Sequence, residues 1–553
     1  MRLCSLAAIA AWIAAAPLQA QTTLHASLSS AGVDANRNCD SPEISAEGLF
    51  VVFDSTATML DPADTSSTRD VFLRDLVAGT TVLVSVATNG RGGDRASSLA
   101  RLTANGAYVV FQSDATNLVS GDFNNQSDVF LRDVAGKVTR RMSVTSAGAA
   151  GNDASANGRA SDDGAFVVFD SVATNLDAAD GNGVGDIFRR DVAAGITTRI
   201  SLTDADAEAN GRSLTPDVSD DGTLVVFASF ATNLVSGDSN GFADIYLRDL
   251  VAGTTRRLSL SATGAQPTND CVDPVISGDG RFVAFGCYAD NLVPHDTNGI
   301  HDVFVVEVAT GAIERASLDN AGRESDGWSL RPSLSTDGRF VGFLSDGTNL
   351  GVGDWNNQRD FFVRDRQLGM TSWLSLGDQH QTGSNVCEGG ALCGDGSRAV
   401  FASKNPGFVA TDVDGGLHDA FVRDRQPVDA GSSPYGSGLA GTLGVPSLAL
   451  SALPVLATTV DVQIGNSTRW YTVALLLAGT TAIDLPAWGG RLLVEPLASI
   501  PVALFPGVTA FPIEIPPDDL LMGDRFYLQV VELDGGAPRG VSLTPGLDLQ
   551  LGW

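Results

Sequence analysis

The sequence predicts an all-β protein: a seven-bladed β-propeller made of a 58-residue repeat, followed by a C-terminal β-sandwich. Three observations predict this: seven in-phase copies of one repeat, four strand-sized pieces in each copy, and an N-terminal segment matching the piece that the last copy lacks. Length agrees, since 553 residues at roughly 150 per domain make three or four units or one repeat array with additions. Glycine contributes 61 residues, above the usual level of about 7%, which favours short strands joined by turns. The 35 basic and 65 acidic residues leave a net charge of −30, which argues against nucleic acid as a partner because phosphate binding needs clustered Lys and Arg. Hydrophobic residues make up 43% and charged ones only 18%, so the chain is not a disordered acidic one.

Residues 1–20 read as a secretory signal peptide. Arg2 gives the positive start, residues 3–18 are almost wholly apolar, and Ala20 offers a small residue for cleavage before Gln21. No later run of 18 apolar residues predicts a transmembrane anchor. The expected product is exported, periplasmic or extracellular, where its cysteines can pair.

Residues 21–427 hold the repeat. Gly48, Gly106, Gly164, Gly222, Gly280, Gly338 and Gly396 follow one another at intervals of 58. The Phe five positions on recurs with them, from Phe53 to Phe401. A second block, commonly Asp-Val-Phe-Leu-Arg-Asp, starts at Asp70, Asp128, Asp186, Asp244, Asp302, Asp360 and Asp419 and slips by one residue only at the last interval. In the fifth copy, strands are expected at Pro274–Ser277, Phe282–Gly286, Val303–Val308 and Ile313–Leu318, with an Asp279-Gly280 hairpin turn between the first two. The middle strands are apolar on both faces, as suits a sheet packed between two neighbours rather than one with a wet face. The seventh copy stops after its third strand near Pro427, and Thr22–Leu28 matches the absent fourth, so both chain ends should share one blade.

The pattern Ser-x-Asp-Gly-x-x-Val-x-Phe followed by Asp-Val-Phe-Leu-Arg-Asp resembles the TolB-like (WD-type) propeller repeat of bacterial exported proteins. The resemblance covers residues 22 to about 427 and implies an interaction platform. The N-terminal α/β domain of TolB has no counterpart, so a role in the TolB envelope complex does not carry over. Residues 428–444 read as a Gly/Ser/Pro linker. Residues 445–553 contain short apolar runs separated by turns, as in a β-sandwich, and residues 434–553 resemble a C-terminal domain found on secreted bacterial proteins.

Candidate chemistry lies first in the loop before the third strand. Asp122, Asn124 and Asp128 recur as Asp180, Asn182 and Asp186; Asp238, Asn240 and Asp244; Asp296, Asn298 and Asp302; and Asp354, Asn356 and Asp360. Such oxygens can ligate Ca²⁺, the only cofactor the sequence suggests, but Asp and Asn equally cap turns by bonding to backbone N–H groups. The first copy offers Asp64, Ser66 and Asp70. The Arg of the third strand, Arg74, Arg132, Arg190, Arg248, Arg364 and Arg423, is expected to bond structurally to a neighbouring blade.

Two tryptophans break the repeat. Trp328 and Trp355 fall in loops of the sixth copy that should emerge on one face, where they could stack on a sugar or anchor a protein; covering the blade edge is the alternative. The five histidines, His25, His295, His301, His380 and His418, show no ligand spacing, and no nucleophile elbow, zinc-protease or phosphate-loop motif is present. Cys271 and Cys287 stand eight residues either side of Asp279 and should face each other across the hairpin. Cys39 and Cys387 share a repeat position and could staple the seam between first and last blades. Cys393 is expected free, since six residues of extended strand put it about 20 Å from Cys387.

These readings favour a non-enzymatic, monomeric binding scaffold that takes a protein or glycan ligand on a propeller face. Two alternatives are an extracellular glycan hydrolase or lyase with its site on that face, and a Ca²⁺-stabilised structural surface protein.

Overall fold

The computed structural model of the protein describes residues 23–351, 354, 358–375, 386–404, 408–409, 412 and 416–425, then 431–435, 440, 445–450, 459–465, 472–479, 482–487, 490–494, 498–504, 508–514, 525–534, 537 and 541–550. The signal-peptide reading, Trp355, Asn356 and His380 lie outside the described residues.

The described residues contain no helix, and those of unit 22–425 form seven four-stranded antiparallel sheets. Blade 5 shows the plan. Cys271–Ile276, Phe282–Cys287, Asp302–Glu307 and Ile313–Arg315 pair in that order. Its first turn is fixed by Ser277, whose Oγ donates to Asp279 Oδ1 (2.7 Å) and accepts from the Phe282 N–H (2.9 Å). Gly280 closes the turn at φ +72°, a left-handed conformation that favours glycine. A second reason for glycine appears one blade on, where a Cβ on Gly338 would come within 2.4 Å of the Phe282 ring.

Each blade buries a pair of aromatics on its two central strands. Phe53 stacks on Phe72 (5.9 Å between centroids) and Phe285 on Phe304 (6.0 Å), all fully buried. Burial of each such ring contributes about 1.5–3 kcal/mol, repeated round the ring. Val and Ala fill the opposite face of the same strands, so successive blades pack face to face.

The ring closes through both chain ends. Thr23–His25 pairs antiparallel with Asp419–Asp424, with Thr23 opposite Arg423 and His25 opposite Phe421. Blade 7 is thus Cys387–Leu392, Arg398–Ser403, Asp419–Asp424 and Thr23–His25. At the end of the channel where the first turns lie, a belt of hydrogen bonds runs through every blade. Glu47 N–H donates to Ala104 O (3.2 Å) and Ala104 N–H to Asp162 Oδ1 (2.8 Å). Asp162 N–H donates to Asp220 O (3.1 Å), Asp220 N–H to Gly278 O (3.0 Å) and Asp279 N–H to Thr336 O (3.0 Å). Thr336 N–H then donates to Gly394 O (2.7 Å), and Gly394 N–H returns to Ala46 O (2.8 Å).

The recurrent arginine of the third strand is structural, as its copy number suggested. Nη1 of Arg74, Arg190, Arg248 and Arg364 donates to the backbone carbonyls of Ser29, Thr145, Thr203 and Asp319, in each case 3.1 Å away in the loop leaving the preceding blade.

Residues from Gln426 onward belong to a second compact unit. Gly431–Tyr435, inside the stretch read as a linker, is an edge strand paired with Gly546–Gln550. An edge tolerates Pro434, which has no N–H to give to a ladder, and that Pro disguised the strand. Arg525–Leu533, Thr472–Gly479 and Ala498–Leu504 continue this sheet, and Val541–Leu543 also pairs with Arg525–Leu533. A second sheet joins Leu448–Leu450, Thr459–Gly465 and Val508–Glu514. Val462 and Ile464 of the second sheet share one apolar cluster with Leu476, Val530 and Leu547 of the first.

Candidate functional site

The loops between second and third strands share a face with the loops that enter each blade. Tyr288 N–H bonds Asp270 O (3.2 Å) and Asp346 N–H bonds Trp328 O (2.8 Å), which ties the end of a second strand to the start of a first.

The Asp-x-Asn loops on this face form one repeated device in blades 2 to 5. Asp128, fully buried, accepts from Ser143 Oγ at one oxygen and from Asn124 Nδ2 (3.3 Å) and Arg141 Nη1 (3.1 Å) at the other. Arg141 Nη1 also lies 3.1 Å from Asp122 Oδ1. The Asn124 carbonyl caps the loop by accepting from Gln126 N–H (3.1 Å). Blade 3 repeats this with Asp180, Asn182 and Asp186 around Arg199. Blade 4 does so with Asp238, Asn240 and Asp244 around Arg257, and blade 5 with Asp296, Asn298 and Asp302 around Arg315.

In these four blades a guanidinium therefore stands between the oxygens read as Ca²⁺ ligands. Burial pushes the carboxyls of Asp122, Asp180, Asp186, Asp244 and Asp302 upward and that of Asp296 to about 6, against the pull of the arginines. Sequence reasoning missed the arginine. Its signal was a fixed offset of 13 residues from the third-strand Asp, as in Asp128 and Arg141. The corresponding residue is Leu83 in blade 1, Trp373 in blade 6 and His25 in blade 7. Asp354 and Asp360 of blade 6 are both buried, with Ser375 Oγ donating to Asp360 (2.6 Å).

Trp328 is 47% exposed on the same face. It meets Tyr288, itself 37% exposed, edge-on at 5.9 Å, and Tyr288 packs edge-on against His301 at 4.4 Å. His301 Nδ1 is held by Ser329 O (2.6 Å). Phe230 and Val172, the counterparts of Tyr288 in blades 4 and 3, are exposed as well, and Phe123 projects from the blade 2 loop.

The channel on the ring axis, about 410 Å³, is lined by the first strands. Each of those strands in blades 1 to 6 carries a bulge, with Ser41, Leu99, Asn157, Thr215, Asp273 and Arg331 at φ between 48° and 53°. Left-handed backbone at Leu and at β-branched Thr is sterically costly, and the surrounding sheets hold it in place. Charges within the channel are matched: Arg101 Nε lies 3.1 Å from Glu43, and Arg159 lies 3.8 Å from both Glu43 and Asp217. Burial, then the neighbouring Arg159, lowers Arg101 to about 10.

Cys271 and Cys287 are opposite one another with Cα atoms 4.1 Å apart, and they form a disulfide. The staple considered between Cys39 and Cys387 is absent, and both are buried free thiols. Cys39 crosses the seam to sit against Ser27 and Asp419 of blade 7, whereas Cys387 turns the other way, against Asp360 and Ser375 of blade 6, so the two thiols do not meet. Cys393 is also a free, buried thiol, 3.0 Å from Asp395 Oδ1.

No family model matches the sequence, and no curated protein matches it. Among solved structures, the chain is similar to a putative TolB from Agrobacterium tumefaciens at 17% identity, covering 50% of this chain and 80% of that one, with a TM-score of 0.32. It is similar to the WD40 repeats of RRP9 at 8% identity, covering 74% and 98%, with a TM-score of 0.40. It is also similar to the extracellular domain of a putative hybrid two-component system from B. thetaiotaomicron at 8% identity, covering 97% and 59%, with a TM-score of 0.42. The 58-residue repeat and the seven four-stranded sheets that it builds make residues 22–425 a seven-bladed β-propeller.

Proposed function

We propose that the protein is an exported binding scaffold that engages a protein or glycan partner through the loop face of its propeller. The observation that carries this reading is the exposed Trp328–Tyr288 pair, an edge-to-face aromatic surface braced from behind by His301. Such a surface offers large, rigid contact area at low entropic cost, and the exposed Phe230 and Val172 extend it over blades 4 and 3. Matched charges on the axis support scaffold over glycan cleavage, because Glu43 and Asp217 face arginines rather than a free reaction space. Export is supported by the signal-like residues 1–20 and by a disulfide in the propeller. Among the described residues no helix is long and apolar enough to cross a membrane.

Glycan and peptide arrays probed with the full chain and with Trp328→Ala and Tyr288→Ala test the proposal. Binding that falls at least tenfold in both variants, at unchanged circular dichroism, is the expected result. Undiminished binding by both variants would move the site off this face.

A further inference from the structure

We propose that the seam between blades 1 and 7 carries a site for a divalent transition-metal ion, zinc above all, with His418 and Glu388 as protein ligands and Asp40 as the residue that orients the imidazole. The site goes beyond the scaffold reading and does not depend on it. Three strands meet to build it. Asp40 and Glu388 are the second residues of the first strands of blades 1 and 7, and His418 precedes the third strand of blade 7. The ligating atoms of the three residues lie within 4.8 Å of one another.

The hydrogen-bonding pattern sets the imidazole's role. His418 is 3% exposed, and its Nδ1 lies 3.0 Å from Asp40 Oδ1. Asp40 Oδ2 lies 3.0 Å from Arg69 Nη2. That ion pair with the Arg69 guanidinium holds Asp40 as a carboxylate. A carboxylate can only accept, so Nδ1 carries the hydrogen, which leaves Nε2 as the atom that presents a lone pair when the ring ligates a metal.

Nε2 is buried and has no hydrogen-bond partner among the described residues. It points to Glu388 Oε1 at 3.6 Å, too far for a hydrogen bond. Two electron-pair donors thus face each other near the separation of about 3.4 Å that two ligands adopt on a tetrahedral ion with bonds of about 2.0–2.1 Å. A carboxylate on the far nitrogen of a ligating histidine is the usual outer-shell arrangement at such ions. The Glu388 side chain is half exposed, so water can complete the coordination. The site borders the channel mouth, since Ser41 and Gly389, the next residues along, line it.

The repeat supplies an internal control. At the positions of Asp40 and Glu388 the other blades carry Ser98, Ala156, Leu214, Val272 and Leu330, so neighbouring carboxylates meet only at the seam. His301 sits in blade 5 where His418 sits in blade 7, but the corresponding residues beside it are Val272 and Leu330 and its Nδ1 bonds a backbone carbonyl.

Titration of chelator-stripped full-length protein with Zn²⁺, by calorimetry and by thermal melting, tests the site, with Co²⁺ absorption reporting the geometry. Expected are one equivalent of Zn²⁺, a rise in melting temperature and tetrahedral Co²⁺ bands. His418→Ala and Glu388→Gln should abolish binding, Asp40→Asn should weaken it about 10–100-fold, and His301→Ala should leave it unchanged. Glu388 is half exposed, so its variant folds and keeps the test decisive if His418→Ala does not. Absence of Zn²⁺ binding, or binding that survives Glu388→Gln, overturns the proposal.

Discussion

Ser27 Oγ donates to Asp419 Oδ1 at 2.6 Å, although 392 residues separate the two along the chain. Both groups are buried, and the contact anchors the borrowed strand of blade 7. A buried hydrogen bond to a charged group contributes about 1.5–3 kcal/mol, so Ser27→Ala should destabilise the propeller by that order in urea melts. Deleting residues 22–29 should do far more, exposing the Asp419–Asp424 edge and causing aggregation. An unchanged melting temperature after the deletion would contradict the shared blade.

Arg141 and its equivalents predict opposite effects in different blades. Arg141→Met leaves Asp122 and Asp128 facing each other without a cation, at a cost of about 3–5 kcal/mol. In blade 1, where Leu83 replaces the arginine, Asp64 Oδ2 is buried without a hydrogen-bond partner and burial raises its carboxyl. Asp64→Asn removes that charge while keeping an acceptor for the Ser66 N–H, so it should raise stability by about 1 kcal/mol at pH 7. Equal losses in both variants, measured by chemical denaturation, would show that the arginines do not act as counter-ions.

Asp70 predicts a pH dependence. Burial pushes its carboxyl up to about 6, above an unfolded value of about 3.9. The folded state therefore holds the proton more tightly, and this contribution is complete below about pH 4 and is lost as pH rises through about 6. Asp70→Asn should flatten the fall in stability between pH 4 and pH 6, with Ser85 Oγ still able to donate to residue 70. Parallel wild-type and variant curves across that window would refute the assignment.

Cys271–Cys287 occupies the place where four other blades use paired serines, such as Ser97 and Ser113 with Oγ atoms 2.8 Å apart. The double variant Cys271→Ser, Cys287→Ser should therefore fold, losing at most about 3 kcal/mol of loop constraint and recovering part of it through the hydroxyl pair. Peptide mapping without reduction should find this one link and free thiols at Cys39, Cys387 and Cys393.

Backbone features were legible in the sequence because the repeat prints them seven times. Gly280 and its equivalents mark each first turn, and the pattern of Thr22–Leu28 revealed the borrowed strand. Features that depend on side-chain direction were not legible. Arg141 lies on the outermost strand, and its reach back to Asp128 becomes visible only when Phe130 is placed opposite Arg141 in the sheet. Cys39 and Cys387 share a repeat position, and for that reason both thiols turn toward the preceding blade, Cys39 toward blade 7 and Cys387 toward blade 6, instead of toward each other. The grouping of His418 with Asp40 and Glu388 was hidden for a different reason: it spans the two ends of the array, and ligand spacing along the chain cannot show it.

A chain that emerges N-terminus first must carry Thr23–His25 unpaired until Asp419–Asp424 follows. Waiting adds little thermodynamic burden: lengthening a loop from one repeat to the whole array costs under about 2 kcal/mol, because closure entropy grows only with the logarithm of length. Timing is the real consequence. An interrupted chain of six copies or fewer can complete its blades in sequence, yet it has no receptor for its leading strand. Incomplete products thus display the unpacked faces of their terminal blades and a loose N-terminal tail, both liabilities for aggregation and proteolysis, whereas the finished molecule hides them together. The last blade acts as a checkpoint for full-length synthesis, and it is read out by nothing more than strand pairing.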